Sequence, residues 1–307
     1  RAIAAAFTLL GDFASAEPYG SWHINDTFAL EMTQGGRRLR YVLQRINHNI
    51  FKNPDGLMEN VERVCRHTQA KLQAAGAADA SRRALTLVPT KAGRGWHTDP
   101  AGNRWRCYVF VEGATGHDII RNADQAFQAA KAFGAFQALV ADLPGGRLVE
   151  TIPYFHHTPT RFANFQTALA KDAHGRAAQA LPEIAFALAR AHEVGVIADA
   201  MARGDIPERV THNDTKLNNV LLDNETQEGI CVIDLDTVMP GSALYDFGDL
   251  VRTSTSPAAE DETDLSKVTM QLPMFEALLK GYLTTAGGFL TARERELLPF
   301  AGKLITF

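Results

Sequence analysis

Val210-Thr211-His212-Asn213-Asp214-Thr215-Lys216-Leu217-Asn218-Asn219-Val220-Leu221-Leu222-Asp223 is the stretch whose reading decides the fold. A cluster of polar residues runs directly into an apolar strand. A second apolar strand, Gly229 to Ile233, then runs straight into Asp234-Leu235-Asp236. A carboxylate at one strand end, opposite an Asn and another Asp across a hairpin, is an arrangement that can hold a hard cation through oxygen ligands.

The spacing His-x-Asp-x-x-x-x-Asn, met by His212, Asp214 and Asn219, resembles the catalytic loop of the protein-kinase-like fold. Asp234 falls where that fold keeps its metal-binding Asp, and Lys216 matches its catalytic-loop lysine. Phosphoryl transfer needs an acceptor hydroxyl aligned with the γ-phosphate and cations to neutralise the phosphate oxygens. The resemblance therefore implies that Asp214 orients the hydroxyl and takes its proton, that Asn219 and Asp234 hold Mg2+, and that Lys216 faces the transferred group. Asp and Asn are also turn formers, so an ordinary loop is the bland alternative. It does not account for the fixed spacing followed by a hairpin and then Ile-Asp.

Outward from this block, the sequence divides into two compositions. Thr27 to Leu30 and Leu39 to Ile46 read as strands joined by a turn at Gln34-Gly35-Gly36-Arg37. Leu57, Val61, Val64, Thr68 and Leu72 fall at helical spacing, with Asp55 as a cap and Gly76 as a stop. Ala84 to Val88 and Arg106 to Val111 read as further strands, with a turn at residues 99–103. From Asn122 onward the chain turns to Ala-rich helices, at 125–140, 160–170, 177–202, 272–282 and 291–304. The expected fold class is thus α+β: a bilobal, protein-kinase-like fold with a small antiparallel-sheet N-terminal lobe and a larger helical C-terminal lobe. The expected domains are 1–111, a hinge at 112–116, and 117–307.

In the N-terminal lobe, Gly20, Ser21 and His23 lie where a loop covering phosphate should be, because free backbone N–H groups there can approach an anion. Trp22 stands where a second glycine would help that loop close. Arg45, on the next strand, is the candidate cation for the nucleotide phosphates in place of a lysine, and a solvated strand-end arginine is the alternative. Glu59, or else Glu62, would brace it. Glu112 and Gly113 would offer backbone groups to adenine.

The motifs at 212–219 and 233–241, Tyr-Asp-Phe-Gly-Asp at 245–249, Gln-Arg-Ile-Asn at 44–47 and Leu-Met-Glu-Asn at 57–60 narrow the resemblance. They look like the N-acetylhexosamine 1-kinases, sugar 1-kinases of the aminoglycoside-phosphotransferase superfamily, over roughly residues 18 to 307. The resemblance implies ATP and Mg2+ as cofactors and the C1 hydroxyl of a free N-acetylhexosamine as acceptor. It implies sugar contacts from Asp214, Asp236 and Thr237. Asp246 and Asp249 would brace the catalytic loop rather than touch sugar, and His212 would order the loop. His156 and His157 read as a polar loop at a helix entry.

A neutral polyol needs several fixed acceptors for its hydroxyls, which suits these residue types. Aminoglycosides are polycations and would want a broad acidic surface. The run Glu260-Asp261-Glu262 with Asp264 offers some acidity, so an antibiotic or small-alcohol kinase is the second reading. A nucleotide-binding pseudokinase is a third, disfavoured by the presence of Asp214, Asn219 and Asp234 together.

The bulk composition agrees. The 307 residues are 46% hydrophobic, enough for cores in two units, and a formal charge of −4 gives no global field for nucleic acid. No run reaches the length of a membrane span. Cys65, Cys107 and Cys231 are too far apart for a zinc or redox motif and read as reduced core thiols. The apolar Ala2 to Leu10 and the small residues Ala14-Ser15-Ala16 have the form of a signal-peptidase site, against which an amphipathic first helix is the alternative. Cleavage there would send an ATP-dependent enzyme outside the cell, so a cytoplasmic location is expected. The sequence leaves the oligomeric state and the identity of the hexose open.

Overall fold

The computed structural model describes residues 1–20, 24–258 and 262–307. Ser21, Trp22 and His23 of the expected phosphate loop, and Glu260 and Asp261 of the acidic run, lie outside the described residues. The chain forms two compact units. The first comprises residues 1–116, 139–151 and 220–239, and the second 117–138, 152–219 and 240–307. The division is therefore not a single cut. The expected hinge becomes a strand of the first unit, and the hairpin after the catalytic-type loop returns to that unit.

In the first unit, β1 (Asp12–Pro18), β2 (Asp26–Gln34) and β3 (Arg37–Arg45) precede α1 (Pro54–Ala74) and the short α2 (Ala80–Arg83). Next come β4 (Trp96–Thr98), β5 (Arg104–Val109) and β6 (Ala114–Gly116). Five strands form an antiparallel sheet in the order β1-β2-β3-β5-β4. Alternation separates its faces. Leu30, Met32, Tyr41, Leu43 and Cys107 point to one side and pack with Ala4, Phe7 and Val88 into an apolar cluster. Thr27, Gln44 and Arg106, which are cross-strand partners in turn, point to the other.

Three expectations fail here. Ala14-Ser15-Ala16 lies in the edge strand β1, where Ala16 faces Leu30, and not in a helix. Its side chains are small, so the alternation that marks a strand is faint in the sequence. Residues 84–88 form no strand and make only a single bridge, between Leu87 and Tyr108. Helix α1 is capped by Asn53, whose side chain accepts from Gly56 N, while the expected cap Asp55 sits in the first turn and pairs with Arg104.

The second unit holds α3 (Ala123–Val140, whose last residues belong to the first unit), α4 (Thr158–Lys171), α5 (Leu181–Ala189), α6 (Val196–Ala202) and β7 (Arg209–Thr211). The hairpin β8 (Val220–Asp223) and β9 (Gly229–Val232) belongs to the first unit, where β8 pairs with β6. Then come β10 (Met239–Gly241), α7 (Ala243–Ser254), α8 (Leu272–Ala286) and α9 (Ala292–Thr306). The single helix expected over 177–202 is broken into α5 and α6. Helix α8 lies so close to α3 that a Cβ on Gly281 would overlap the Phe127 carbonyl oxygen. Among the described residues no helix is long and apolar enough to cross a membrane.

Candidate active site

In the second unit, loop 211–219 is buried almost throughout. Thr211, His212 and Thr215 are fully buried, and Asn219 is 1% exposed. Asn213 takes the left-handed φ of 66°, which an Asn tolerates better than most residues. A buried loop must find partners for its backbone groups, and α7 supplies them. Asp246 Oδ2 accepts from His212 N at 2.9 Å and Gln137 Nε2 at 2.6 Å, and Oδ1 accepts from Asn213 N at 2.7 Å. Asp249 Oδ2 accepts from Thr215 N at 2.8 Å, while its Oδ1 accepts from Arg252. Both carboxylates thus brace the loop. Burial pushes Asp246 above the ordinary Asp value, against the opposing pull of His212 and the loop N–H groups.

His212 packs edge-on against Phe133 and Phe136, which fits a loop-ordering role. His156 bonds the Asn213 carbonyl at 2.7 Å, and His157 caps α4 by accepting from Thr160 N. Asp214 remains partly open, with its side chain 28% exposed and Lys216 Nζ 3.5 Å from Oδ1. Asn219 Nδ2 donates to the Asp214 carbonyl at 2.8 Å and to Asp214 Oδ2 at 3.1 Å. This fixes the amide and leaves Asn219 Oδ1 buried with no hydrogen-bond partner, as are Asn218 Oδ1 and Tyr108 Oη among the described residues.

Beside this loop, within the second unit, a cavity of about 610 Å³ is lined by Asp214, Lys216, Arg161, Arg252 and the rings of Phe155, Phe162 and Phe165.

In the first unit, Asp234 follows β9 with a left-handed φ of 57° and opens the turn 235–237. Asp236, expected at a sugar, is 2% exposed and committed to the interior. Its Oδ1 pairs with Arg106 and its Oδ2 accepts from Asn25 Nδ2 at 2.6 Å. Thr237 is partly buried. Gly20 ends the described part of the expected phosphate loop with a φ of 80°, after Tyr19 N has bonded the Thr27 carbonyl.

Arg45 is an exposed cross-strand partner of Asp26, with Nε 2.6 Å from Oδ2. Neither expected brace holds it. Glu59 is exposed on α1, and Glu62 accepts from Gly95 N. At Glu112 and Gly113 both carbonyls accept from Arg82, at 2.9 and 3.1 Å, and the Glu112 carboxylate pairs with Arg40. Of the backbone groups expected to face adenine, the two carbonyls are thus each engaged by Arg82. The charged residue that the sequence reading missed is Arg106, an arginine 1% exposed on a central strand.

The fold is shared with proteins of known structure. The chain is similar to an aminoglycoside phosphotransferase from Alicyclobacillus acidocaldarius, with a TM-score of 0.65 and 14% identity over 99% of this chain and 82% of that one. It is similar to a microcompartment-associated aminopropanol kinase, with a TM-score of 0.55 and 17% identity over 99% and 85% of the two chains. A choline kinase from Cryptosporidium parvum gives a TM-score of 0.55 and 13% identity over 95% and 79%. At these identities the likeness is one of fold, the α+β arrangement expected from the sequence. The family assignment comes from residues 15–297, which match the profile of the phosphotransferase enzyme family, APH. The chain belongs to this phosphotransferase family.

Proposed function

We propose that the protein transfers the γ-phosphoryl group of ATP to the C1 hydroxyl of a free N-acetylhexosamine, with Mg2+ as cofactor. The observation that carries the kinase chemistry is the Asn219 amide. Its nitrogen is pinned on Asp214, and its oxygen is buried without a partner. Leaving such an oxygen unsatisfied costs about 1–3 kcal/mol, and a hard cation that takes oxygen ligands removes that cost. Amide and carboxylate oxygens are donors of the kind that magnesium takes, a few at a time and with several waters kept. Asn219 and Asp234 are the residues that would hold it. When bound, the metal neutralises charge on the transferring phosphoryl oxygens.

The chain's own residues do the rest. Asp214, held at its carbonyl and at Oδ2 by Asn219, presents a carboxylate to the cavity, where it orients the acceptor hydroxyl and accepts its proton. Lys216 offers a cation on the same wall. Gly20, Ser21 and His23 are assigned to the phosphates, and Thr237 is kept as an acceptor contact.

The cavity's charge supports a neutral acceptor. Lys216, Arg161 and Arg252 outnumber Asp214 and Asp249 on its wall, which would repel a polycationic aminoglycoside. The aromatic rings offer apolar area to the face of a sugar ring or to an N-acetyl methyl group.

The test is ADP release with magnesium and a panel of free sugars, aminoglycosides and amino alcohols. N-acetylhexosamines are expected to be the best acceptors and their methyl glycosides inactive. A methyl glycoside that remains a good acceptor excludes C1, and preference for an aminoglycoside or amino alcohol selects the second reading. Asp214→Asn is expected to lower turnover about 10²-fold or more. Nucleotide binding without acceptor-dependent ADP release selects the pseudokinase.

A further inference from the structure

The most unusual charged group in the first unit is Arg106. Its side chain is 1% exposed, and that of its partner Asp236 is 3% exposed. Two charges taken out of water in this way are costly unless geometry and further hydrogen bonds compensate. Compensation here is extensive. Arg106 Nε donates to Gln44 Oε1 at 2.9 Å, and Gln44 Nε2 donates to Thr27 Oγ1 at 3.0 Å. On the carboxylate side, Asn25 Nδ2 donates to Asp236 Oδ2 at 2.6 Å, and Asn25 Oδ1 accepts from Asn47 N at 3.0 Å. Burial opposes the charge on Arg106, but Asp236 above all, with Tyr108 and Asp234 behind it, keeps its pKa above the ordinary arginine value.

This polar chain runs across one face of the sheet and ends on the turn that carries Asp234. Other bonds hold the same turn. Thr151 Oγ1 donates to the Asp236 carbonyl at 3.1 Å. Asn60 of α1 donates to the carbonyls of Val238 at 3.0 Å and Val149 at 2.8 Å. The turn starts from a non-glycine residue with positive φ, a conformation that persists only where the surroundings over-determine it. A hydrophobic clamp could bury the turn as well. A fixed fork–carboxylate contact also sets its rotation, and with it the direction of the carboxylate two residues earlier.

We propose that Arg106 and Asp236 are a positioning pair that aims Asp234, so that Asp236 serves the reaction through Asp234 and not by contact with the acceptor. The proposal rests on the reading of Asp234 as a metal-binding residue.

The test uses Mn2+ binding in the presence of ADP, followed by electron paramagnetic resonance, with urea melts to report folding. Arg106→Met combined with Asp236→Asn removes both charges, and the introduced amide keeps an oxygen for Asn25. The expected result is a folded protein with a Mn2+ dissociation constant raised tenfold or more, a lower kcat, and an unchanged KM for the acceptor. Parent-like Mn2+ binding in the folded double variant, or a raised acceptor KM with metal binding intact, overturns the proposal. If that variant does not fold, Arg106→Lys carries the test. It keeps the charge but cannot fork between Asp236 and Gln44, so metal affinity should fall at least threefold, and parent-like affinity refutes the pair's role. Asp234→Asn is the control. If it leaves Mn2+ binding intact, the metal-binding reading of Asp234 itself is wrong and the positioning role falls with it.

Discussion

Replacing Asp246 by Asn changes one oxygen to an NH2 group at the point where α7 meets the catalytic-type loop. The carboxylate receives three N–H donors, two from consecutive backbone amides at His212 and Asn213 and one from Gln137. The amide has two orientations. In one its nitrogen opposes Asn213 N, and in the other it opposes His212 N and Gln137. Gln137 could turn over, because its neighbour Tyr282 Oη can accept as well as donate, but a backbone N–H cannot. At least one buried donor is therefore left facing another donor, at about 1–3 kcal/mol, and the remaining bonds lose their charge assistance. Against this, a buried charge whose pKa burial had raised is gone. The balance is a loss of about 2–4 kcal/mol, read as a lower urea midpoint at unchanged slope. The loop that carries Asp214 should also shift, and a displacement near 1 Å costs roughly 10²-fold in turnover. A variant within about 0.5 kcal/mol of the parent and with parental turnover would refute the bracing role of Asp246.

Three further outcomes are expected. Glu294 is pushed up by burial but held below the ordinary carboxylate value by Arg209 and the Thr291 N–H. Its stabilisation is present above the unfolded pKa of about 4.3 and lost as pH falls through the lowered folded value. The stability gap between the parent and Glu294→Gln in urea melts should therefore narrow as pH falls from about 5 through the carboxylate range, and a constant gap refutes the pairing. Gly281→Ala should destabilise by about 1–3 kcal/mol through the clash with Phe127, although in a free helix it would stabilise by about 1 kcal/mol, so calorimetry reads the sign. Burial pushes the thiols of Cys65, Cys107 and Cys231 up to about 12. A disulfide reagent should then label none of them in the native protein and all three in urea, and rapid native labelling would contradict the burial.

What was legible in the sequence was local. The hairpin of β2 and β3, helix α1 and the loop 212–219 each carry a period or a spacing within a dozen or so residues, and the loop-bracing role of Asp246 and Asp249 could be read from their motif. Strand β1 was not legible, because Ala14, Ser15 and Ala16 are too small to show which face is buried. The pairing of Arg45 with Asp26 follows from strand register, which the turn fixes but the motif does not reveal. Arg106 was invisible for a stronger reason: a buried arginine is recognised by its counter-ion, and that residue is far away in sequence. Asp236 stood in a motif that suggested a ligand contact, and only the fold shows its carboxylate turned to the interior.

The Arg106–Asp236 pair joins residues 130 positions apart. A ribosome adding roughly 5–20 residues per second delivers Asp236 about 6 to 26 s after Arg106. Until then the five-stranded sheet has a guanidinium on one face and no carboxylate to meet it. The first unit is therefore begun at residue 1 but completed only at residue 239, after a large part of the second unit has been made. Its strands can pair early, but the sheet locks only when the hairpin of β8 and β9 has emerged. The stretch between, which supplies much of the helical unit, must be made while the sheet is still unfinished.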